Sequence, residues 1–493
     1  MFIYLILIIF TLFYYYVKKK FSFWQRNDVK FIRPSFPFGN LQGFKRRFHS
    51  SQFVQNFYRE LKGSGPFGGV YFFMNPVAIA LDLEFIKDVL VRDFSHFHDR
   101  GMYYNEKHDP ISAHLFNLEG ERWKSLRSKL IPTFSSGKMK MMCPTIVGVG
   151  DQLRDCLNKM IEENHEIEMK DILSRFTTDI IGNTAFGLEC NSLKDPDTEF
   201  RRMGKKVFEV PPKQFLKFLF ITSFRKLSKV IGVKVTSDDV SKFFFKVVKD
   251  TIEYRERNKI IRNDFMNLLI QLKNDESNDS RLTLNEIVAQ AFVFFLAGYE
   301  TSSTTMSYCL YELALHQDIQ DKARECVRQS IEKHNGLNYE AINDMEYLDQ
   351  CIKESLRKYP PGANLIRVVT KDYQPQNSKF TFKKGMTIMI PIYAIHHDPE
   401  YYPNPEEYDP SRFTNDQQHE SGSLKYLPFG EGPRICIGVR FGMMEARVGL
   451  AVLLMNFKFT KSSKTAIPLK ISTRSVVLSP EGGLWLNVEL ISN

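Results

Sequence analysis

MFIYLILIIFTLFYYYV, from Met1 to Val17, contains no charged side chain, and Lys18, Lys19 and Lys20 follow at once. At a rise of ~1.5 Å per residue, this run is just long enough to cross a bilayer as a helix. A cleaved secretory leader has basic residues before its apolar run and small residues after it. Here the order is the opposite, so the pattern predicts a retained single-pass anchor over 1–17 with the lysines on the cytosolic side. In FIRPSFPFGN, Pro34, Pro37 and Gly39 interrupt any helix, and residues 18–40 read as a basic, Pro-rich linker to a body spanning 41–493. A body in the cytosol would leave the sequon-like Asn278-Asp279-Ser280 unglycosylated.

Beyond the linker, apolar residues recur mostly at helical spacing. GDQLRDCLNKMIEEN (150–164), the run from Leu284 to His316, YLDQCIKESLRKY (347–359) and VRFGMMEARVGLAVLLMNF (439–457) predict long helices. Strand-like pieces are short: PFGGVYFF (66–73), KFTFKKGMTIMI (379–390) and LWLNVELI (484–491). NDESNDSR (274–281) and NDQQHESGS (415–423) read as polar surface loops. The fold class is therefore mainly α with a small β part. The helix from Leu284 is apolar almost all round in its middle, as befits a helix through the core of a large domain. It nevertheless carries AGYETSS, which places Gly298, a carboxyl at Glu300 and a hydroxyl at Thr301 in that stretch. Thr301 can bond back to the carbonyl of Ala297, four residues earlier. A solvent-facing Glu beside a back-bonded Thr would fit this segment equally well.

Among 493 residues there are 42 Phe and only 3 Trp, which suits an aromatic interior or a greasy ligand cavity. The net charge of +10 would suit an anionic membrane surface or an acidic partner. No zinc-finger spacing, RNP-like stretch or long Lys/Arg tract points to nucleic acid. Seven scattered cysteines without a CxxC pair argue against a disulfide framework or a zinc site. They suggest a reducing compartment.

Cys436 stands apart from the others. Taken alone, a cysteine is more often a buried space-filler. In PFGEGPRICIGVRFG, however, Gly430, Gly432, Pro433 and Gly438 make an irregular loop, and a long helix begins just after the sulfur. A helix N-terminus favours a thiolate. No His base lies in the stretch, so metal ligation suits this thiol better than nucleophilic attack.

FGEGPRICIG, Phe429 to Gly438, resembles the haem-binding loop of the cytochrome P450 monooxygenases at every fixed position of F-x-x-G-x-R-x-C-x-G. The resemblance extends from the anchor to the C-terminus and implies the cytochrome P450 fold. It makes Cys436 the axial thiolate of haem b, a ligand that pushes electron density to the iron and favours O–O cleavage. Phe429 would pack beside the sulfur, Gly430 would shape the loop, and Arg434 would pair with a propionate. In WKSLR, Trp123 and Arg127 match the family's W-x-x-x-R propionate contact, and Arg367 is similarly placed. Glu354 and Arg357 of KESLRKYPP, with Arg412 of PEEYDPSRF, match its Glu-Arg-Arg network. E-x-x-R also occurs at 119/122, 199/202, 325/328 and 431/434, so order and company select this pair. AGYETSS matches the oxygen-side helix motif, in which Glu300 and Thr301 would deliver protons, Ala297 would border the haem and Gly298 would leave room for dioxygen. Tyr408, where Phe is commoner, is a conservative departure. His396-His397 reads as a structural dipeptide.

Val293, Leu296, Ala297 and Thr301, spaced i, i+3, i+4 and i+8 on one helix face, would line the substrate pocket, with Phe116, Ala363, Leu365 and Leu478 added by the same resemblance. The Phe-rich QFLKFLFITSF (214–224) would serve as its roof or as core, and would dip into the membrane beside the substrate entrance. The implied activity is insertion of one oxygen atom from O2 into a lipophilic small molecule. NADPH electrons would arrive through cytochrome P450 reductase, with cytochrome b5 as a further partner. Arg122, Lys124, Lys129, Lys138 and Lys140 offer a landing patch for an acidic reductase domain. FHDRGMYYNEK and AIHHDPEYYPNPEEYDPSRF look closest to the microsomal insect group that detoxifies plant toxins and insecticides. That places the enzyme on the cytosolic face of the endoplasmic reticulum. The alternative within the family is an endogenous hormone or lipid hydroxylase. Haem-thiolate relatives that rearrange peroxides usually lack the acid and threonine pair, so Glu300-Thr301 disfavours that reading, and intact motifs disfavour a non-catalytic scaffold.

Overall fold

The computed structural model describes residues 2–42, 49–208, 217, 220–221, 224–262, 264–275, 281–376, 378–414, 424–473 and 475–491. The loop expected at 415–423, the sequon at 278–280 and most of 214–224 lie outside the described residues. The chain divides into two compact units: Met1–Gly101 with Gly362–Glu406 and His419–Ile435, and Met102–Pro361 with Glu407–Gln418 and Cys436–Asn493.

The first unit opens with helix α1 (Phe2–Phe21). Among the described residues it is the one helix long and apolar enough to cross a bilayer, and none of its residues is buried. Helical bonding does not stop at Val17, because Lys18, Lys19 and Lys20 form the last turn of α1. After Ser22 comes the single turn α2 (Phe23–Arg26), whose Trp24 is fully buried. Next are α3 (Ser50–Leu61) and strands β1 (Phe67–Phe72) and β2 (Asn75–Ala80), followed much later by β3 (Leu365–Val368) and β4 (Thr387–Ile390). The sheet order is β1-β2-β4-β3, with β2 and β4 parallel and the other pairs antiparallel. β1 lies where PFGGVYFF predicted it. The run 379–390 splits, because Gly385 takes a φ of +91° that only glycine adopts easily. Phe382 pairs back to Tyr373, and the strand begins at Thr387. β2 and β3 gave little signal, since strands of six and four residues are too short for a clear alternation.

The second unit is mostly helical. It contains α4 (Gly120–Leu130), α5 (Ser136–Glu163), α6 (Met169–Ile181), α7 (Leu284–Leu315), α8 (Glu346–Lys358) and α9 (Val439–Asn456). Strand Trp485–Leu490 pairs antiparallel with Glu166–Glu168 on one side and Phe457–Lys461 on the other. α5 begins fourteen residues before the expected 150, with Pro144 inside it. Proline reads as a helix stop, but burial of Met139, Met142, Cys143 and Ile146 holds this half in place. α7 starts on a capping box: Thr283 Oγ1 accepts from the Glu286 backbone N–H, and Glu286 Oε2 accepts from that of Thr283. Most of its 32 residues are buried, as its all-round apolar character predicted.

Candidate functional site

In the first unit, the loop before Cys436 is shaped by two glycines. Gly430 and Gly432 have φ of +73° and +74°, and a Cβ on Gly432 would meet the Leu90 carbonyl oxygen at 1.9 Å. Arg434 follows, buried, with Nη2 3.8 Å from Asp99 Oδ1. Its carbonyl accepts from Arg100 Nη2 at 3.4 Å. The same segment is tied to β3, because the Val368 N–H donates to the Asp99 carbonyl at 2.8 Å. Arg367, one residue earlier, is buried, and burial pushes its guanidinium down to about 10. Its Nη1 donates to the Ile366 carbonyl, while Nε has no hydrogen-bond partner among the described residues. A buried guanidinium nitrogen such as Arg367 Nε calls for an anion, and a haem propionate would supply one. The residues fit haem on this count. Ala363 is buried, Leu365 and Phe429 are half-buried, and Leu365 Cδ1 would lie 3.5 Å from a Cβ on Gly430.

In the second unit, Cys436 is the one exposed cysteine of the seven, and it lies three residues ahead of α9. Burial pushes the thiol of Cys143 up to about 11 and raises those of Cys156, Cys190, Cys309 and Cys351. On α4, Trp123 is buried with Leu126 and Leu130. Burial pulls the Arg127 guanidinium below its ordinary value, and the Cys436 sulfur pulls it the other way. The two are therefore within electrostatic reach. No group of three His, Cys, Asp or Glu that could hold a metal ion occurs among the described residues.

α7 presents the oxygen-side motif. Beyond its exposed first turn the helix is mostly buried; Phe294 and Gly298 are half-buried, and so are Val293, Leu296 and Thr301, around an exposed Ala297. Val293, Leu296, Ala297 and Thr301 are the i, i+3, i+4 and i+8 positions expected to face a pocket. Thr301 Oγ1 donates to the Ala297 carbonyl at 2.5 Å, the expected back-bond. Glu300 turns to α6, where its Oε1 sits 3.1 Å from Lys170 Nζ and 3.4 Å from Ser479 Oγ. Gly298 corrects an expectation, since the space beside it is filled by protein: a Cβ there would be 2.3 Å from Ile181 Cδ1. Its role in the fold is the close approach of α6 and α7. Leu115 donates its N–H to Gln290 Oε1 of α7, which fastens the loop carrying the exposed Phe116. Leu478 is fully buried.

The Glu354-Arg357 pair lies in the interior, with both side chains wholly buried. Arg357 donates Nε to Oε2 at 2.7 Å and Nη2 to Oε1 at 2.8 Å, a bidentate pair. Asp409 N–H also donates to Oε1, and Arg412 Nε lies 3.5 Å from it. The network binds α8 to the 407–413 segment. Burial raises the Glu354 carboxyl and the Arg357 contact lowers it. The Tyr408 hydroxyl donates to the Cys351 carbonyl at 2.8 Å, so the departure from Phe has a partner.

Of the basic residues near α4, Arg122 is held by Glu106 and Glu286, and Lys140 by Glu340. The patch carries less free charge than its residue count suggests. His396 accepts the Leu427 N–H on Nε2, and His397 Nδ1 meets the Tyr393 carbonyl, as a structural dipeptide would. Arg100, Asp99 and Lys170 were not singled out in the sequence. Arg100 and Asp99 stand in FHDRG with no spacing to mark them, and Lys170 meets its partner 130 positions away.

The family model for cytochrome P450 matches residues 31–487. Cytochrome P450 6A1 of Musca domestica is 45% identical over 485 residues, 97% of this chain and 95% of the relative. Probable cytochrome P450 6a14 of Drosophila melanogaster is 45% identical over 489 residues, covering 96% of each chain. Cytochrome P450 6a2 of the same organism is 43% identical over 506 residues, covering 99% of each.

Proposed function

The chain belongs to the cytochrome P450 family, and from that premise we propose that Cys436 is the axial thiolate of its haem and that its lipophilic substrates are xenobiotics. It is a monooxygenase that takes NADPH-derived electrons through a reductase. Haem, when bound, supplies the activation of O2. The observation that carries the assignment is Cys436 itself, the exposed cysteine ahead of a helix N-terminus and within electrostatic reach of Arg127. Arg367 and Arg434, joined by Arg100, hold the propionates in this reading, with Trp123 and Arg127 of α4 as further contacts. Phe429 and Gly430 shape the approach to the thiolate, and Ala297 borders the ring.

Thr301 presents an oxygen whose own proton is committed to the Ala297 carbonyl. It can therefore accept a hydrogen bond from an incoming water, and Glu300 is its partner in proton delivery. Val293, Leu296, Phe116 and Leu478 of the second unit meet the substrate, as do Ala363 and Leu365 of the first. Glu354, Arg357 and Arg412 form a structural lock. Haem domain 41–493 is held by an anchor at 1–17 through the segment 18–40, on the cytosolic face of the endoplasmic reticulum. Reductase lands on the basic patch of Arg122, Lys124, Lys129, Lys138 and Lys140, and cytochrome b5 is a second electron donor.

The test is the absorption spectrum of dithionite-reduced membranes with and without carbon monoxide, for the wild type and for Cys436→His. A strongly red-shifted Soret band, lost in the variant, is expected. A band typical of His-ligated haem in the wild type would remove Cys436 from the iron. NADPH-dependent oxidation of a panel of plant toxins and insecticides then tests the substrate class.

A further inference from the structure

The end of α1 is fixed to the first unit. Ser22 N–H donates to the Lys18 carbonyl and Arg26 N–H to that of Ser22, which carries helical bonding from α1 into α2. The buried Trp24 indole donates to the Val70 carbonyl at 3.0 Å, and its backbone N–H donates to the Tyr71 hydroxyl. Tyr71 in turn donates to the Phe21 carbonyl at 2.8 Å. The indole lies directly over Gly69 of β1, where a Cβ would come within 2.5 Å of it. The anchor helix thus leaves the sheet along a fixed direction.

After α2 the chain returns toward that helix. Ser35 and Gly39 exchange backbone hydrogen bonds at 2.8 and 2.7 Å, closing a turn whose tip is Phe36-Pro37-Phe38. Phe36 and Phe38 are 55% and 45% exposed. The Phe36 ring nevertheless has a neighbour, because its centroid is 5.8 Å from that of Phe13, edge to face. Phe13 lies five residues before Lys18, which is ~7–8 Å along a helix axis. Where α1 crosses a bilayer with its lysines at the headgroups, Phe13 is inside the hydrocarbon, and a ring packed against it is at the same depth. The turn suits that place. Pro37 has no N–H to satisfy, Ser35 and Gly39 satisfy each other, and the Phe38 carbonyl accepts from Leu41 and Phe73. Lys30 and Arg33, both exposed, flank it as headgroup contacts.

We propose that the Phe36-Pro37-Phe38 turn is a second membrane-inserted element, its two rings occupied by lipid acyl chains beside the C-terminal part of α1. With Trp24 holding the helix to β1, two points of insertion fix the tilt of the first unit on the membrane. This rests on the reading of α1 as a membrane-spanning anchor. The test uses the full chain reconstituted in vesicles whose lipids carry bromine on the acyl chains. Tryptophan is introduced singly as Phe10→Trp and Phe36→Trp, and emission is read as the difference from the parent. The proposal expects both added tryptophans to lose most of their emission relative to unbrominated vesicles. Quenching at position 10 with none at position 36 would overturn the proposal and leave the anchor standing. Absence of quenching at both would overturn the anchor reading and the proposal with it.

Discussion

Lys170 Nζ of α6 lies 3.1 Å from Glu300 Oε1 of α7, and the two side chains are only 13% and 12% exposed. Lys170 also donates to Ser303 Oγ at 2.7 Å and Ser174 Oγ at 3.3 Å, so the acid beside Thr301 is held by a network on the far helix. Removing one partner of a nearly buried pair strands the other charge, at a cost of about 3–5 kcal/mol. Lys170→Met should lose stability in that range by chemical denaturation, and Lys170→Met/Glu300→Gln should recover most of it. A double variant no more stable than Lys170→Met would show that the pair contributes little. If Glu300 delivers protons, Lys170→Met also changes the ratio of product formed to NADPH consumed.

Gly298 and Ile181 make a size-matched contact between the same two helices. Adding a methyl at 298 meets Ile181 Cδ1 at 2.3 Å, an overpacking expected to cost about 1–3 kcal/mol. Gly298→Ala should lower Tm, and Ile181→Val, which removes that Cδ1, should restore it in the double variant. A Gly298→Ala protein as stable as the wild type would sink this account.

The family's motifs were legible because they are local. The Cys436 loop, the Glu354-Arg357 pair and the Trp123-Arg127 pair each lie within one turn or one loop, where spacing carries the meaning. Lys170 and Glu300 could not be paired from sequence, since only the packing of α6 on α7 brings them together. Arg100 became visible through Asp99, which the β3 backbone holds beside Arg434. Gly298 was read from its motif as space for a ligand, and only its packed neighbour shows the other use of a missing side chain. For the fold, long apolar runs such as Leu284 to Leu315 declared themselves. The four-residue strand Leu365–Val368 and the Pro144-bearing start of α5 depend on partners far along the chain.

Glu445 of α9 is fully buried, and neither carboxyl oxygen has a hydrogen-bond partner among the described residues. Burial pushes its pKa up to about 8, and the nearby Ser302 hydroxyl offsets this only in part. In an unfolded chain the group titrates near 4.3. The folded state therefore holds a proton that the unfolded state has released. Its contribution is fully present below pH ~4.3 and is lost as pH rises through about 8, by a few kcal/mol. Glu445→Gln should be more stable than the wild type at pH 8.5 and nearly equal to it at pH 4. Parallel stability profiles of the two proteins between these limits would contradict a buried neutral acid.

Ala297 and Phe295 stand two residues apart on α7 and face opposite conditions. Phe295 is fully buried and packs on Tyr299, Phe200 and Phe244, with ring centroids 5.3–5.7 Å away. Ala297 is exposed, between the half-buried Val293, Leu296 and Thr301. If that open face meets substrate, filling it should block binding without disturbing the fold, whereas emptying position 295 should do the reverse. Phe295→Ala is expected to lose about 3–5 kcal/mol, while Ala297→Phe at an exposed site should change stability by no more than about 0.5 kcal/mol. Spectral shifts on adding bulky lipophilic ligands should disappear in Ala297→Phe while the folded protein is retained. Retention of those shifts would mean that substrate is held by other residues, and loss of the folded protein would mean that the exposed face is a packing surface.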